Sequence, residues 1–121
     1  MRSIGIDAVE IERFKHWHTY SAQQLEKIFT VQEIAYCLAN SSKSAERFAV
    51  RFAAKEATYK ALSSLCNLEQ SFLSLARAFE VQKHNHVPIL VIDWTKIINN
   101  SLDKTSITIH CSFTHTKTTA L

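Results

Sequence analysis

Glu56 and Lys60 are the first residues whose types and spacing could do chemistry. They lie in Glu46-Arg-Phe-Ala-Val-Arg-Phe-Ala-Ala-Lys-Glu-Ala-Thr-Tyr-Lys-Ala-Leu62, a stretch rich in Ala with no Gly or Pro, which reads as a strong helix. At 100° per residue, Arg47, Arg51, Lys55 and Thr58 share one arc, the predicted solvated face. Phe48, Phe52, Tyr59 and most of the alanines occupy the rest, predicted to be buried. Glu56 projects into that apolar arc between Phe52 and Ala49, and Lys60 follows one turn later. A carboxylate and an ammonium there are costly unless compensated. Two readings stay open: an i,i+4 Glu-to-Lys pair of little energetic weight, or a cleft in which Glu56 holds a cation and Lys60 an anion.

A second carboxylate stands near the start of the chain. Ser3 to Val9 reads as a short strand with Ile4 and Ile6 on one face and Gly5 and Asp7 on the other. Gly5 is the only glycine. Within a strand it usually marks close approach of another backbone or a ligand, which draws attention to Asp7 on the same face. A solvated strand residue or a helix cap is the plainer alternative for Asp7.

The elements that must position these residues follow in order. Glu10 to Phe14 continues as a helical turn. Ser21 caps a helix over Ala22 to Ile28, and Thr30-Val-Gln-Glu33 fits a capping box opening another through Leu38. Asn40 to Ser44 is the loop before the long helix, and Ser63-Ser64 a polar break after it. Ala78 to Gln82 and Ile89 to Trp94 read as a hairpin with a longer loop over Lys83 to Pro88. Thr95 to Leu102 is a candidate short helix. Ser106 to Phe113 alternates as a half-buried strand, and a return strand begins at Thr118. The fold class is therefore α+β, an antiparallel sheet packed against one long central helix and shorter helices.

A length of 121 residues predicts one domain spanning 1–121. No apolar run is long enough to cross a bilayer, and an acid at position seven is unlike a signal peptide, so a soluble, cytoplasmic protein without membrane partners is expected. A net charge of +3 suits an acidic or phosphorylated partner. It does not argue for nucleic acid, because no basic run or aromatic platform accompanies it. Cys37, Cys66 and Cys111 share no CxxC spacing and read as reduced, mostly buried thiols. His16 with His18 and His84 with His86 lack further ligands at zinc-site spacing.

Three stretches match one family in order. Ile4-Gly-Ile-Asp-Ala-Val-Glu-Ile-Glu-Arg13 resembles the N-terminal Gly-Ile-Asp motif of holo-acyl-carrier-protein synthases. Arg47 to Ala61 is similar to their long-helix motif, with Lys-Glu followed by Lys four residues after the Glu. Cys111-Ser-Phe-Thr-His-Thr-Lys117 looks like their C-terminal Ser-x-Ser/Thr-His segment. The resemblance covers nearly the whole chain. It implies the small 4′-phosphopantetheinyl transferase fold, and transfer of phosphopantetheine from coenzyme A to a serine of acyl carrier protein in fatty acid biosynthesis. Adenosine 3′,5′-bisphosphate would be released.

The resemblance further implies Asp7 and Glu56 as Mg²⁺ ligands and Lys60 as a pyrophosphate contact. It places Lys43, Arg51 and His115 near the nucleotide phosphates and Arg13 against the acidic helix of the carrier protein. A homotrimer with active sites between subunits is implied too. Where the family usually has glycines after the long-helix Lys-Ala, this chain has Leu62-Ser63-Ser64. That departure favours an alternative, a degenerate module that binds coenzyme A or a carrier protein without transfer.

The residues themselves suit the implied chemistry. Attack of a hydroxyl on a pyrophosphate needs positioning and positive charge more than covalent help. Mg²⁺ takes one or two carboxylates and completes its shell with water and phosphate oxygens. No side chain stands out as general base. Glu56 and His115 are candidates, as is a metal-bound water.

Overall fold

The computed structural model describes residues 4–65, 68–97 and 119–120. At its centre is α3, Ser44–Leu65, a helix of 22 residues. Phe48, Ala49, Phe52 and Ala53 from α3 pack into one apolar cluster with Val9, Phe14, Leu25, Phe29, Ile34, Cys37 and Ala120. Ala54 and Leu62 pack into a second cluster with Leu75, Ala78, Phe79, Val81, Leu90 and Ile97. Covered by two clusters, the helix has little free surface.

That coverage overturns one expectation. Arg51, Lys55 and Thr58, assigned to a solvated face, are buried, and Lys55 is fully so. Helical periodicity identifies an arc of polar residues, but it does not show which neighbours lie over that arc. Over Lys55 the neighbours are the helix that carries Glu33 and the strand that begins at Phe79. The polar break expected at Ser63-Ser64 is also absent, since α3 continues through both serines to Leu65. The Ser64 hydroxyl donates to the Ala61 carbonyl one turn back, so the helix itself absorbs this polar group.

The shorter helices start where the capping chemistry predicts. Ser21 and Thr30 each form a complete capping box, with Gln24 and Glu33, and open α1 (Ala22–Leu25) and α2 (Val31–Leu38). A helix start not expected from the sequence is Ser71, whose hydroxyl accepts from the Ser74 amide at α4 (Phe72–Leu75). A 3₁₀ turn, Ile11–Phe14, takes the place expected for a helical turn, and another, Ser41–Lys43, leads into α3.

The strands form two antiparallel pairs among the described residues. β1 (Val9–Glu10) pairs with β4 (Thr119–Ala120), Val9 opposite Ala120. Of the expected strand over Ser3 to Val9, ladder pairing begins only at Val9, and residues 4–8 carry no regular secondary structure. β2 (Phe79–His84) pairs with β3 (Val87–Ile92), Phe79 opposite Ile92 and His84 opposite Val87. The hairpin stands, but its loop is a two-residue turn rather than a longer one. Asn85 and His86 have φ of 51° and 66°, the left-handed pair that matches the twist of the flanking strands. The usual glycine signal is missing at this turn, with His in its place. Of the expected helix from Thr95, a 3₁₀ turn at Trp94–Lys96 is described. The expected strand over Ser106 to Phe113 lies outside the described residues.

The α+β class is the one observed: small antiparallel sheets around one long helix and shorter ones.

Candidate functional site

Gly5 lets the N-terminal segment reach the site. A Cβ on Gly5 would lie 1.8 Å from the Ala57 carbonyl oxygen and 3.1 Å from the Ala61 amide nitrogen. Only a residue without a side chain can lie so close to the backbone of α3. Ile4 and Ile6 point outward and are exposed, and Asp7 turns inward beside Glu56 and Lys60. The alternation expected from sequence is therefore correct, with the glycine face as the inner one.

At the cluster, the Lys60 ammonium donates to Asp7 Oδ1 at 2.8 Å and to the Ile6 carbonyl at 3.4 Å. The Asp7 side chain is 9% exposed, while that of Lys60 is 54% exposed. Lys60 therefore reaches inward from solvent, and its ion pair with Asp7 is only partly shielded. Asp7 Oδ2 is buried and has no hydrogen-bond partner. Burial raises the pKa of Glu56, and the adjacent Asp7 carboxylate raises it further, by its charge and by accepting a hydrogen bond from the protonated form, while Lys60 and Arg13 oppose the rise. The hydrogen bond to Asp7 and its charge raise the pKa of Lys60, so its ammonium form is favoured. The i,i+4 reading of Glu56 and Lys60 is incomplete, because the recorded ion pair of Lys60 is with Asp7.

Two adjacent carboxylates, one carrying an unpartnered buried oxygen, fit a hard divalent cation that takes oxygen ligands. Among the described residues no cluster of three or more His, Cys, Asp or Glu side chains occurs. An ion here would have two protein carboxylates and would need water or substrate oxygens for the remainder.

Arg13 belongs to the same neighbourhood. Its guanidinium sits 5.7 Å from the Phe14 ring centroid and 5.6 Å from that of Phe52, and its charge acts on Glu56. Arg51 does not join this cluster. It lies five residues before Glu56, about 140° around the helix. It lines an open cavity of about 440 Å³ with Gln32, Tyr36, Glu80, Val81, Gln82, Lys83 and His84. Lys43 is exposed at the end of the 3₁₀ turn before α3 and is not drawn into that lining. His115 lies outside the described residues.

Sequence reasoning missed the tyrosine of this cavity. Arg47 and Arg51 lie over the Tyr36 ring at 4.0 and 4.2 Å, with the Lys83 ammonium at 4.9 Å. Burial would raise the Tyr36 pKa, but a hydrogen bond with Lys83 and the charges of Arg47, Lys83 and Arg51 outweigh it and leave it lowered. Arg51 Nε is buried without a partner. The signal available in sequence was the four-residue spacing of Arg47 and Arg51, which read as a solvated stripe.

Cys37 is the one thiol among the described residues. It is buried, which pushes its pKa up to about 12 and makes it unreactive. The expectation of buried, reduced thiols holds for Cys37, while Cys66 and Cys111 lie outside the described residues.

Fold and site together define a small α+β protein whose central helix meets the N-terminal segment at a carboxylate–carboxylate–lysine cluster. The chain belongs to the 4′-phosphopantetheinyl transferase superfamily, whose family model matches residues 3–117. Over 118 residues it is 36% identical to the holo-[acyl-carrier-protein] synthase of Treponema denticola, covering 97% of this chain and 90% of that relative. It is 51% identical over 65 residues to the enzyme of the same name from Chlamydia muridarum. That match covers 53% of this chain and spans 51%, about half, of the relative's length. The acyl carrier protein synthase of Mycobacterium tuberculosis superposes with a TM-score of 0.64 at 29% identity, covering 98% of this chain and 89% of the other. A structure described as the ACPS-CoA complex of Chronobacterium ammoniagenes superposes with a TM-score of 0.75, covering 99% and 92%. At 22% identity that likeness is one of fold.

Proposed function

We propose that this protein is a holo-[acyl-carrier-protein] synthase. It transfers 4′-phosphopantetheine from coenzyme A to a serine of apo-acyl carrier protein, a step that serves fatty acid biosynthesis. The observation that carries this reading is the meeting of Asp7, Glu56 and Lys60 beneath Gly5, with Asp7 Oδ2 buried and unpartnered. The serine hydroxyl passes its proton to Glu56 or to water, and its oxygen forms a bond to the phosphorus that bears the pantetheine arm. The bond from that phosphorus to the bridging oxygen breaks, and the electron pair leaves with adenosine 3′,5′-bisphosphate.

Asp7 and Glu56 would hold Mg²⁺, which supplies positive charge to the phosphoryl oxygens when bound. Lys60, 54% exposed and anchored on Asp7, can turn its compact ammonium toward the pyrophosphate. Arg51, with its unpartnered buried Nε, faces the cavity as a partner for a nucleotide phosphate; Lys43 and His115 join it at the nucleotide phosphates on the family resemblance alone. Arg13, exposed beside the cluster, is the contact for the acidic surface of the carrier protein. The non-catalytic alternative would not need to retain this set; the departure that favours it, serines in place of the family glycines, lies at Ser63-Ser64, through which α3 runs as continuous helix.

Incubation with coenzyme A, Mg²⁺ and an apo carrier protein should add one phosphopantetheine mass to the carrier. An unchanged carrier mass would rule the transferase out. In the same assay, raising salt should lift the apparent KM for the carrier more than that for coenzyme A, because exposed charges are screened. Equal sensitivity of both would count against docking at Arg13.

The same reading includes a homotrimer, with a cytoplasmic location. Val87, Ile89 and Val91 project from one face of β3 and are exposed, as are Ile4 and Ile6, so apolar surface is available for copies of the chain to cover. Sedimentation equilibrium should return three times the chain mass, and a monomer at assay concentrations would exclude the trimer. Among the described residues no helix is long and apolar enough to cross a membrane.

A further inference from the structure

Between the cluster around Asp7 and the cavity around Tyr36 lies a fully buried ion pair. The Lys55 ammonium is 2.7 Å from Glu33 Oε1, with both side chains inaccessible to solvent. It also donates to the Ala76 carbonyl at 2.9 Å and the Phe79 carbonyl at 2.6 Å. Three ammonium protons thus meet three acceptors, with the Phe29 ring 5.6 Å away. Glu33 is equally occupied. Its Oε1 accepts from the Thr30 amide and its Oε2 from the Val81 amide, each at 3.0 Å. The pair therefore ties α3 to the first turn of α2, to the turn at Ala76 and to β2.

We propose that Glu33 and Lys55 form a positioning pair for phosphopantetheine transfer, fixing the rotation of α3 so that Glu56 faces Asp7 and Arg51 faces the cavity. This inference rests on the transferase reading above. Apolar side chains of similar size would generally serve stability at least as well as a buried ion pair, so packing alone does not account for this one. Directional bonds do what apolar packing does less well, which is to hold one register. Lys55 directly precedes Glu56 and lies one turn after Arg51, so pinning it sets the direction of both. The elements joined by the pair are also those that supply the cavity: α2 gives Gln32 and Tyr36, α3 gives Arg51, and β2 gives Gln82 and Lys83. Neither Glu33 nor Lys55 lines that cavity, so they act through their neighbours.

Two variants test the proposal. Glu33→Asp keeps both charges but shortens the carboxylate by one methylene, and Glu33→Gln with Lys55→Met removes both charges at nearly constant size. Each is compared with the wild-type chain for thermal unfolding, kcat, KM for coenzyme A and KM for carrier protein, and Glu33→Asp is crystallised. The expected result for Glu33→Asp is a folded protein with kcat lowered about tenfold or more and KM for the carrier unchanged. In its crystal the Lys60–Asp7 contact should open beyond about 3.5 Å. Folded variants with wild-type kcat and an unopened contact would overturn the proposal. So would failure of both variants to fold, which would make the pair a scaffold only. An opened contact in a protein whose wild-type form transfers nothing would support the positioning role while sinking the transferase reading.

Discussion

Asp7→Asn and Glu56→Gln are each expected to lower Mg²⁺-dependent transfer by about 10²-fold or more, and the double variant to be hardly worse than either. The magnitude follows from asking the bound ion for several kcal/mol of transition-state stabilisation. The lack of additivity follows from geometry. Glu56 is close enough for the Asp7 carboxylate to raise its pKa, and Asp7 Oδ2 is buried with no partner. Two ligands of one ion act as a unit, so once one is lost the other has little left to contribute. Both substitutions keep shape, so they should leave folding intact. Glu56→Gln should if anything ease it, because two neighbouring carboxylates repel. Mg²⁺ titration calorimetry on the same proteins should show loss of binding in all three. Losses that multiply, or transfer undiminished in EDTA, would remove the shared ion.

The sequence made local signals legible and left tertiary partnerships hidden. Ser21 with Gln24 and Thr30 with Glu33 mark their helix starts within four residues, because a cap is satisfied by its own turn. Gly5 could be read as a close approach because its lack of a side chain has few other uses in an extended segment. Glu33 shows where such reading stops. At the third helical position, as the closing residue of a capping box, it already had a complete local explanation. Its second oxygen nevertheless accepts from Val81, 48 positions away, and its first pairs with Lys55. No periodicity in α3 distinguishes Lys55 from a solvated lysine, since the difference lies in what packs over it. The site residues were drawn together in sequence by resemblance to a family. The structure adds the physical link: Asp7 can approach Glu56 and Lys60 because a glycine lies against two alanines of the central helix.

That link sets up the second large effect. Gly5→Ala should both destabilise the protein and suppress transfer. The new Cβ would lie 1.8 Å from the Ala57 carbonyl oxygen and 2.7 Å from its carbonyl carbon, well inside any permitted contact. Because the obstructing atoms are backbone, no rotamer change relieves the overlap, and Ala57→Gly should not rescue it. The N-terminal segment must move away from α3, or α3 must bend. Overpacking of this kind costs about 1–3 kcal/mol and occasionally more, an appreciable part of a typical stability of about 5–15 kcal/mol. The protein should still fold, with a lower midpoint in denaturant. Asp7 lies two residues along the same segment, so a shift that relieves Gly5 also withdraws the carboxylate from Lys60 and Glu56. A displacement of about 1 Å is enough for a 10²-fold loss in rate. Activity measured well below the unfolding midpoint separates this effect from simple loss of folded protein. Near wild-type transfer from a destabilised Gly5→Ala protein would mean that the close approach serves packing alone, and unchanged stability would mean that the segment does not lie against Ala57 in solution.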